Sequence, residues 1–147
     1  MDACKATNSI AIEIPNAAFT DIPLDTTVYE TVAGMHDVVV DNNRVKVLSN
    51  GKYDVAGFVT FDAGGGFIRE LLVQKNGTIV GGPTVAAKSA VPVGDGNLHS
   101  MEVNGKGIPM LAGEYFNMQA YQDSGAPLNI IGGQEFSPVL YAIKVND

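Results

Sequence analysis

Few residues of this chain are of the types that carry out acid–base or nucleophilic chemistry. The 147 residues include two histidines, His36 and His99, and one cysteine, Cys4. Neither histidine stands in a motif that also supplies a nucleophile and a carboxylate, so both are interpreted as ordinary core or surface side chains. Because Cys4 has no second cysteine to pair with and stands near a chain end, we expect a free thiol on a mobile terminus. These observations predict no catalytic residues and no enzyme activity.

Motifs for phosphate and metal binding are equally weak. Residues 64–66 are three consecutive glycines, but no Lys-Ser or Lys-Thr pair follows them as it does in a nucleotide-binding loop. The acidic segments at residues 95–97 and 123–124 lack the regularly spaced carboxylates of a calcium loop. The sixteen acidic side chains could form a catalytic pair only where the fold brings two of them together, which the sequence does not reveal. We therefore predict neither a metal nor another cofactor.

Composition favours one β-domain with an acidic surface. The chain is 46% hydrophobic and contains 17 glycines and 7 prolines, which suits tight turns better than long helices. Its formal net charge of -7 disfavours nucleic acid as a direct partner, because phosphate backbones are negative. Residues 1–7 lack the apolar segment of a signal peptide, and no apolar run reaches the roughly 20 residues that span a bilayer. We therefore expect synthesis in a cytoplasm and no membrane partner.

The pattern of apolar residues predicts an all-β chain. Three Asn-Gly pairs, at residues 50–51, 76–77 and 104–105, separate alternating runs and are typical of hairpin turns. The run 52–61 carries apolar side chains on both faces, which predicts a strand buried either between two sheets or between the core and a neighbouring subunit. Predicted strands cover residues 9–14, 19–24, 26–32, 35–40, 44–48, 52–61, 67–74, 78–80, 98–103, 114–121 and 139–145.

Four stretches, taken in order, resemble the jelly-roll domain shared by tumour-necrosis-factor-like proteins and the complement globular head. They are VKVLSNGKY at residues 45–53, LVQKNG at 72–77, IPMLAGE at 108–114 with the strand and DSG loop that follow, and FSPVL at 136–140. Two positions depart from the family pattern, since Glu114 replaces an aspartate and Pro138 a glycine. The resemblance covers residues 9–145 and implies a two-sheet antiparallel jelly-roll sandwich that assembles as a homotrimer. Residues 1–8 are expected to form a flexible segment ahead of the domain at 9–147.

A surface for the trimer is predicted on the strand at residues 114–121. Three apolar side chains fall on one side and are assigned to the core, namely Phe116, Met118 and Ala120. The opposite side mixes aromatic and amide groups, which suits an interface. We therefore predict that the trimer interface contains Tyr115, Asn117, Gln119 and Tyr121. The alternative is that both tyrosines lie on a solvated sheet.

Versions of this domain without a collagen-like stalk, signal peptide or disulfide resemble those of bacteriophage virions. The leading hypothesis is therefore a structural virion protein, a trimeric decoration or cement protein on the capsid surface, with the major capsid protein as its partner. The residues expected to bind the capsid are the N-terminal ones, Met1, Asp2, Ala3, Cys4 and Lys5. The alternative hypothesis is the receptor-binding tip of a tail fibre or spike. In that case, loops at residues 81–95 and 122–133 would contact a host glycan or protein.

Overall fold

The computed structural model describes residues 1–77, 84–94 and 96–146, and this part of the chain is built mainly of β-strands. The prediction of an all-β fold is confirmed, since the regular structure of these residues consists of strands and one short 3-10 turn, Gln134–Phe136. Among the residues described, no helix is long and apolar enough to cross a membrane. The strands are β1 (Ala3–Thr7), β2 (Ile12–Ile14), β3 (Thr20–Asp21), β4 (Thr26–Glu30), β5 (Arg44–Lys46), β6 (Gly51–Phe61), β7 (Arg69–Lys75), β8 (Thr84–Ala90), β9 (His99–Met110), β10 (Tyr115–Gln122), β11 (Leu128–Ile130) and β12 (Val139–Asn146).

These strands form two antiparallel sheets, as predicted. The seven-stranded sheet has the order β2-β11-β6-β12-β1-β4, with β9 also paired to β6. The five-stranded sheet has the order β3-β10-β7-β8, with β5 also paired to β10. The chain crosses between the sheets after β2, β3, β4, β5, β6, β8, β9 and β10, so most strand partners are distant in sequence. The result is a sandwich in which both sheets depend on segments from the two halves of the chain.

The core lies between the sheets and is lined by alternate residues of each strand. From β6, the side chains of Tyr53, Val55 and Val59 are buried there. From β10, Phe116 and Met118 are buried against them, and Ala120 continues the same face. The predicted core face of the strand at residues 114–121 is therefore confirmed. Burial of alternate residues fixes the register of a strand, because a shift by one residue would expose the whole apolar set.

The first residues form an interior strand, so the prediction of a flexible segment at residues 1–8 is wrong. β1 lies between β12 and β4 in the seven-stranded sheet. Within it, Cys4 pairs with Ala142 and Ala6 pairs with Leu140, and all four side chains are buried. Small side chains at these positions allow the chain start to pack directly on the core. β1 therefore belongs to the same sandwich as the rest of the described chain.

Two of the three Asn-Gly pairs are not hairpin turns, contrary to prediction. The pair at residues 50–51 connects β5 to β6, which belong to different sheets. The pair at 104–105 lies inside β9, where the strand continues through a bulge. Asp54 of β6 faces both Lys106 and Gly107 there, and Gly107 has a φ of 60°. After the pair at 76–77, β7 and β8 are antiparallel neighbours, but residues 78–83 lie outside the described residues, as does the predicted strand at 78–80.

Residues 35–40 form turns, so the strand predicted there is also wrong. Asp37 Oδ1 accepts hydrogen bonds from the backbone N–H of Val39 at 2.8 Å and of Val40 at 3.0 Å. An aspartate that caps the following backbone in this way favours a turn over an extended strand. Alternating apolar residues in this segment therefore do not reflect a sheet.

Candidate functional site

The most prominent candidate surface is the outer side of the seven-stranded sheet. Along β6 and β12, every second side chain points away from the core, and the register places these side chains next to one another. Tyr141 is opposite Ala56, and Val139 is opposite Phe58. On the far side of β12, Lys5 of β1 pairs with both Tyr141 and Tyr29. We call this surface the outer apolar face and define it by Tyr29, Ala56, Phe58, Val139, Tyr141 and Ile143.

The aromatic side chains of the outer apolar face contact each other. The rings of Tyr29 and Tyr141 meet edge to face, with centroids 6.4 Å apart. Burial and the neighbouring Tyr29 raise the pKa of the Tyr141 hydroxyl. Tyr29 is 44% exposed, whereas Phe58 and Tyr141 are half-buried. Such a cluster of partly exposed aromatic and β-branched side chains is typical of the centre of a protein–protein interface.

Polar groups border the outer apolar face on the β9 side. Asp54 accepts a hydrogen bond from the backbone N–H of Gly107 at 2.8 Å and forms an ion pair with Lys106 at 2.9 Å. These two contacts, the Gly107 bond first, lower the pKa of the Asp54 carboxyl. Glu102 and Asn104 are exposed on the same side of the sheet. An apolar centre with a charged edge is the usual composition of an interface core and its rim.

The structure corrects half of the predicted trimer interface. Asn117 and Gln119 do point away from the core, but both are buried inside the subunit. Their side-chain amides donate to Asp21 Oδ1, at 3.2 Å from Asn117 and 2.9 Å from Gln119. Asn117 also donates to Gln74 Oε1 at 3.2 Å. Because Asp21 and the chain around β3 cover them, Asn117 and Gln119 are not accessible to a second subunit.

The two tyrosines of the predicted interface are partly covered by their own chain. The Tyr121 ring stacks at a tilt on Phe19, with centroids 4.9 Å apart. The Arg44 guanidinium lies 4.3 Å from the centroid of the Tyr115 ring. Both tyrosines are half-buried rather than enclosed. Their contact with a neighbouring subunit stays a prediction.

The predicted capsid-binding residues are separated by the fold. Ala3 and Cys4 are buried in β1, so their side chains cannot meet a capsid, whereas Met1 is 85% exposed. Asp2 accepts hydrogen bonds from the hydroxyls of Ser49 and Tyr53, and the bond from Ser49 is the main cause of its lowered pKa. Lys5 is half-buried within the outer apolar face, between Tyr141 and Tyr29 of the neighbouring strands. A single continuous N-terminal contact with a shell is thus ruled out by the position of β1 inside the sheet.

A second candidate surface is the segment 31–43, which we call the valine loop. It presents Val38, Val39 and Val40 to solvent, with Val39 82% exposed. The loop is held in place at its base, where the Glu30 carboxylate accepts from the backbone N–H groups of residues 34, 35 and 36. The His36 ring lies between Thr27 Oγ1 at 2.7 Å and the carbonyl oxygen of Asn42 at 3.2 Å. Exposed apolar residues on an ordered loop are typical of a contact site.

A cleft of about 270 Å³ adjoins the valine loop. Asp37, Asp41 and Arg44 line it together with Tyr115. Arg44 forms an ion pair with Asp41 at 3.0 Å, so the charges in the cleft are already matched in part. Among the residues that the structure describes, no group of His, Cys, Asp and Glu side chains is arranged to hold a metal ion.

Each of the two segments predicted to be a loop that contacts a host receptor contains a strand. Thr84–Ala90, in the middle of the predicted loop 81–95, is β8, and Leu128–Ile130, inside the predicted loop 122–133, is β11. Residues 81–83 and 95 lie outside the described residues. The exposed loop missed by sequence reasoning is the valine loop, because its three consecutive valines have the composition of a strand.

The outer apolar face was missed for a different reason. The sequence did show apolar residues on both sides of the strand at residues 52–61. It did not show which strands lie beside that one, and β1, β4 and β12 come from opposite ends of the chain. Only their pairing brings Tyr29 next to Tyr141 and Val139 next to Phe58.

No family model matches the sequence, and no curated protein matches it. Solved structures do match it in fold. Murine APRIL at pH 5.0 superposes with a TM-score of 0.70 at 14% identity, covering 98% of this chain and 98% of that one. Eiger TNF from S. frugiperda gives 0.66 at 18% identity, covering 99% and 92%. The globular domain of zebrafish complement 1qA gives 0.65 at 8% identity, covering 100% of both chains. At these identities the likeness establishes the fold, a TNF-like jelly-roll sandwich.

Proposed function

We propose that this chain is a structural assembly protein. Three copies associate through the outer apolar face, and the trimer decorates and stabilises the head of a bacteriophage by binding its major capsid protein. The observation that carries the proposal is the outer apolar face itself. A chain of formal net charge -7 keeps a cluster of aromatic and β-branched side chains on an outer sheet surface, where charged residues would cost less to solvate.

The energetics of association favour this face. Fully burying a Phe, Tyr, Val or Ile side chain is worth about 1.5–3 kcal/mol relative to exposure, and half-buried side chains gain part of that amount. The five such side chains of the outer apolar face offset the cost of lost translational freedom and of immobilised side chains only when they are buried together. A cyclic trimer accomplishes this because each subunit supplies the face once and meets a different surface of the next subunit. The resemblance noted in the sequence also implies three subunits.

The oligomeric state tests the first half of the proposal. Light scattering with mass determination should give three times the 15.4 kDa subunit for the native chain. Tyr141→Asp places a carboxylate in the outer apolar face and should yield monomers with an unchanged β-type circular dichroism spectrum. Tyr121→Asp is the matched control on the five-stranded sheet and should stay trimeric. A monodisperse single subunit for the native chain would contradict the proposal, and loss of the trimer in Tyr121→Asp alone would move the interface to Tyr121.

Three properties of the chain support the capsid role, namely its strand pairing, its acidic charge and the threefold symmetry of the proposed trimer. An antiparallel sandwich whose strands are paired across the whole sequence resists local unfolding, which suits a protein that reinforces a shell. Its acidic charge disfavours binding to packaged nucleic acid and leaves protein surfaces as partners. A trimer also matches the threefold positions of an icosahedral shell, where multiple contacts add to the stability of the particle.

Purified particles provide the test of the capsid role. Mass spectrometry and electron cryomicroscopy should find the protein in stoichiometric amounts at threefold positions on the head. Adding the purified trimer to heads that lack it should raise the temperature at which they release their nucleic acid. Tyr141→Asp is the control, because monomers should bind with far lower avidity. Absence of the protein from purified particles would contradict this role.

A second candidate function is recognition of a host receptor, and the valine loop is the observation that favours it. Its exposed valines border a cleft with an aromatic ring and both signs of charge, a combination that can bind a protein or glycan. The isolated trimer should then be retained on host cells. Val39→Asp should abolish that retention, whereas Leu111→Asp, at an exposed position outside the valine loop and outside residues 81–95 and 122–133, serves as a control. Retention that is equal in both variants would remove the valine loop from the site.

A further inference from the structure

A fully buried arginine lies at the end of the sandwich where β6 ends and β7 and β9 begin. Arg69 is the first residue of β7, and its side chain is 0% exposed. The guanidinium lies between two phenyl rings, 5.5 Å from the centroid of Phe61 and 4.7 Å from that of Phe67. This position is unusual because a charged side chain is almost never fully buried without an ionic partner.

The hydrogen bonds of Arg69 are incomplete. Its Nη2 donates to the carbonyl oxygens of Gly64 and Asp62, the latter at 3.3 Å. Within the part of the chain that the structure describes, neither Nε nor Nη1 reaches an acceptor, and no carboxylate forms an ion pair with this guanidinium. The Asp62 carboxylate instead accepts from the backbone N–H of Ala63 at 2.8 Å. Buried polar groups in native proteins are nearly always satisfied, so the two unpartnered guanidinium nitrogens call for an acceptor from outside the chain.

A second unpartnered polar group lies in the same region. His99 begins β9 and pairs with Phe61, and its Nε2 is buried without a hydrogen-bond partner among the described residues, so the tautomer that carries a proton there could donate to a ligand. Burial lowers the pKa of His99, and the positive charges of Arg69 and Lys88 add to this effect. Arg69, His99 and Lys88 thus supply positive or polar nitrogen groups at this end of the sandwich, and Asp62 and Asp123 are the acidic groups next to Arg69. Both carboxylates are bonded to backbone N–H groups, of Ala63 and Ile68, rather than to the guanidinium.

We infer that Arg69 and His99 form a binding site for a carboxylate, which accepts hydrogen bonds from Nη1 or Nε of Arg69 and from Nε2 of His99. A singly charged carboxylate fits this environment better than a phosphate dianion does. The walls are the phenyl rings of Phe61 and Phe67, and the cost of removing an ion from water rises steeply with its charge. The site is separate from the outer apolar face and does not depend on the proposed function.

Two glycine-containing segments, residues 64–66 and 92–94, contact each other at the site. Their contact determines how a ligand enters. Gly65 packs directly on Gly94, and a Cβ at residue 65 would lie 2.2 Å from the Gly94 nitrogen. The backbone N–H of Gly66 donates to the carbonyl oxygen of Pro92 at 2.9 Å. A carboxylate reaches Arg69 when these segments separate, so binding should be slower than diffusion permits.

The two histidines of the chain allow a direct test by NMR. Sodium acetate, titrated against sodium chloride at equal ionic strength and fixed pH, should shift the His99 ring resonances with saturation. His36 is the internal control and should not move, because Thr27 and Asn42 already occupy its ring nitrogens. A capped aspartate tests whether a peptide carboxylate binds as well as a free acid does. Inorganic phosphate should bind more weakly than acetate.

Variants then assign the shift to the site. Arg69→Met keeps an unbranched apolar side chain but removes the guanidinium, and it should weaken acetate binding by about tenfold or more. If Arg69→Met does not fold, His99→Gln with the Arg69 Nε–H resonance as the probe provides the same comparison. A shift that does not saturate, that affects both histidines equally or that survives in the variant would overturn the inference. Tighter binding of phosphate than of acetate would overturn the assignment to a carboxylate.

Discussion

Cys4 shows how the sheet determines the chemistry of a single residue. Burial raises the pKa of its thiol to about 12, with a smaller contribution from Glu30. The thiolate is the reactive form, so the thiol should be inert at neutral pH. We predict that a disulfide reagent such as DTNB labels the native protein at least about 100-fold more slowly than an exposed cysteine at pH 8. In urea the same sample should react rapidly with one equivalent per chain, and rapid labelling without urea would mean that β1 is not held in the sheet.

Glu114 provides a pH-dependent prediction at the same scale. Its carboxylate pairs with Lys75 at 2.8 Å and accepts from Asn76 and from the backbone N–H of Leu111. These contacts, the one from Lys75 first, hold its pKa below the ordinary value of 4.5. A carboxyl whose folded pKa is lowered contributes stability above its unfolded pKa and loses it as the pH falls through the folded pKa.

Glu114→Gln should therefore lower the melting temperature at pH 7 and leave it nearly unchanged at pH 3. Because the ion pair is partly open to solvent, with the Glu114 side chain 23% exposed, the difference at pH 7 should be small and should shrink in high salt. Glu102→Gln is the control, since the carboxylate of this exposed residue is bonded only to Asn104 among the contacts described. A difference between native chain and Glu114→Gln that grows toward low pH would contradict the assignment.

At the scale of strands, Gly57 permits the close approach of the two sheets. A Cβ at this position would lie 2.8 Å from Val73 Cγ2 and 3.0 Å from Met118 Sδ. Gly57→Ala should therefore destabilise the fold by about 1–3 kcal/mol, because an overpacked core forces its neighbours off their preferred rotamers. Urea unfolding measures this change. Ala87→Ser, at an exposed position of β8 in the other sheet, should change the free energy of unfolding by less than about 0.5 kcal/mol, and equal effects would contradict the packing argument.

The strands also show what the sequence can and cannot predict. In β6, β10 and β12, the alternation of apolar residues predicts which side chains lie in the core, because large apolar side chains there recur at every second position. β1 is composed of small and polar residues and becomes a strand only through its partners β12 and β4. The Asn-Gly pair inside β9 has the composition of a turn, but the long pairing with β6 converts it into a bulge. Long-range pairing overrides local preference in both cases.

The candidate surfaces show the same contrast between what the sequence of one strand predicts and what only long-range pairing determines. Phe58 and Tyr141 could each be recognised as apolar from their strands. Their common face depends on pairing between distant segments. Asn117 and Gln119 were placed on the correct side of β10, but Asp21 covers them, and no local pattern could indicate a cover from another part of the chain. The site at Arg69 gave no sequence signal, because a lone arginine is ordinarily exposed.

At the scale of the whole molecule, association and folding should be linked. If the native state is a trimer, mass action stabilises it by about 0.9 kcal/mol per chain for each tenfold rise in protein concentration, which is two thirds of RT ln 10. For a chain of this length that amount raises the melting temperature by roughly 2–4 °C. Calorimetry over a hundredfold range of concentration measures the shift. The slope should disappear in Tyr141→Asp, where the outer apolar face cannot be buried by a partner, and should persist in Tyr121→Asp. A melting temperature of the native chain that is independent of concentration would show that the subunits fold alone.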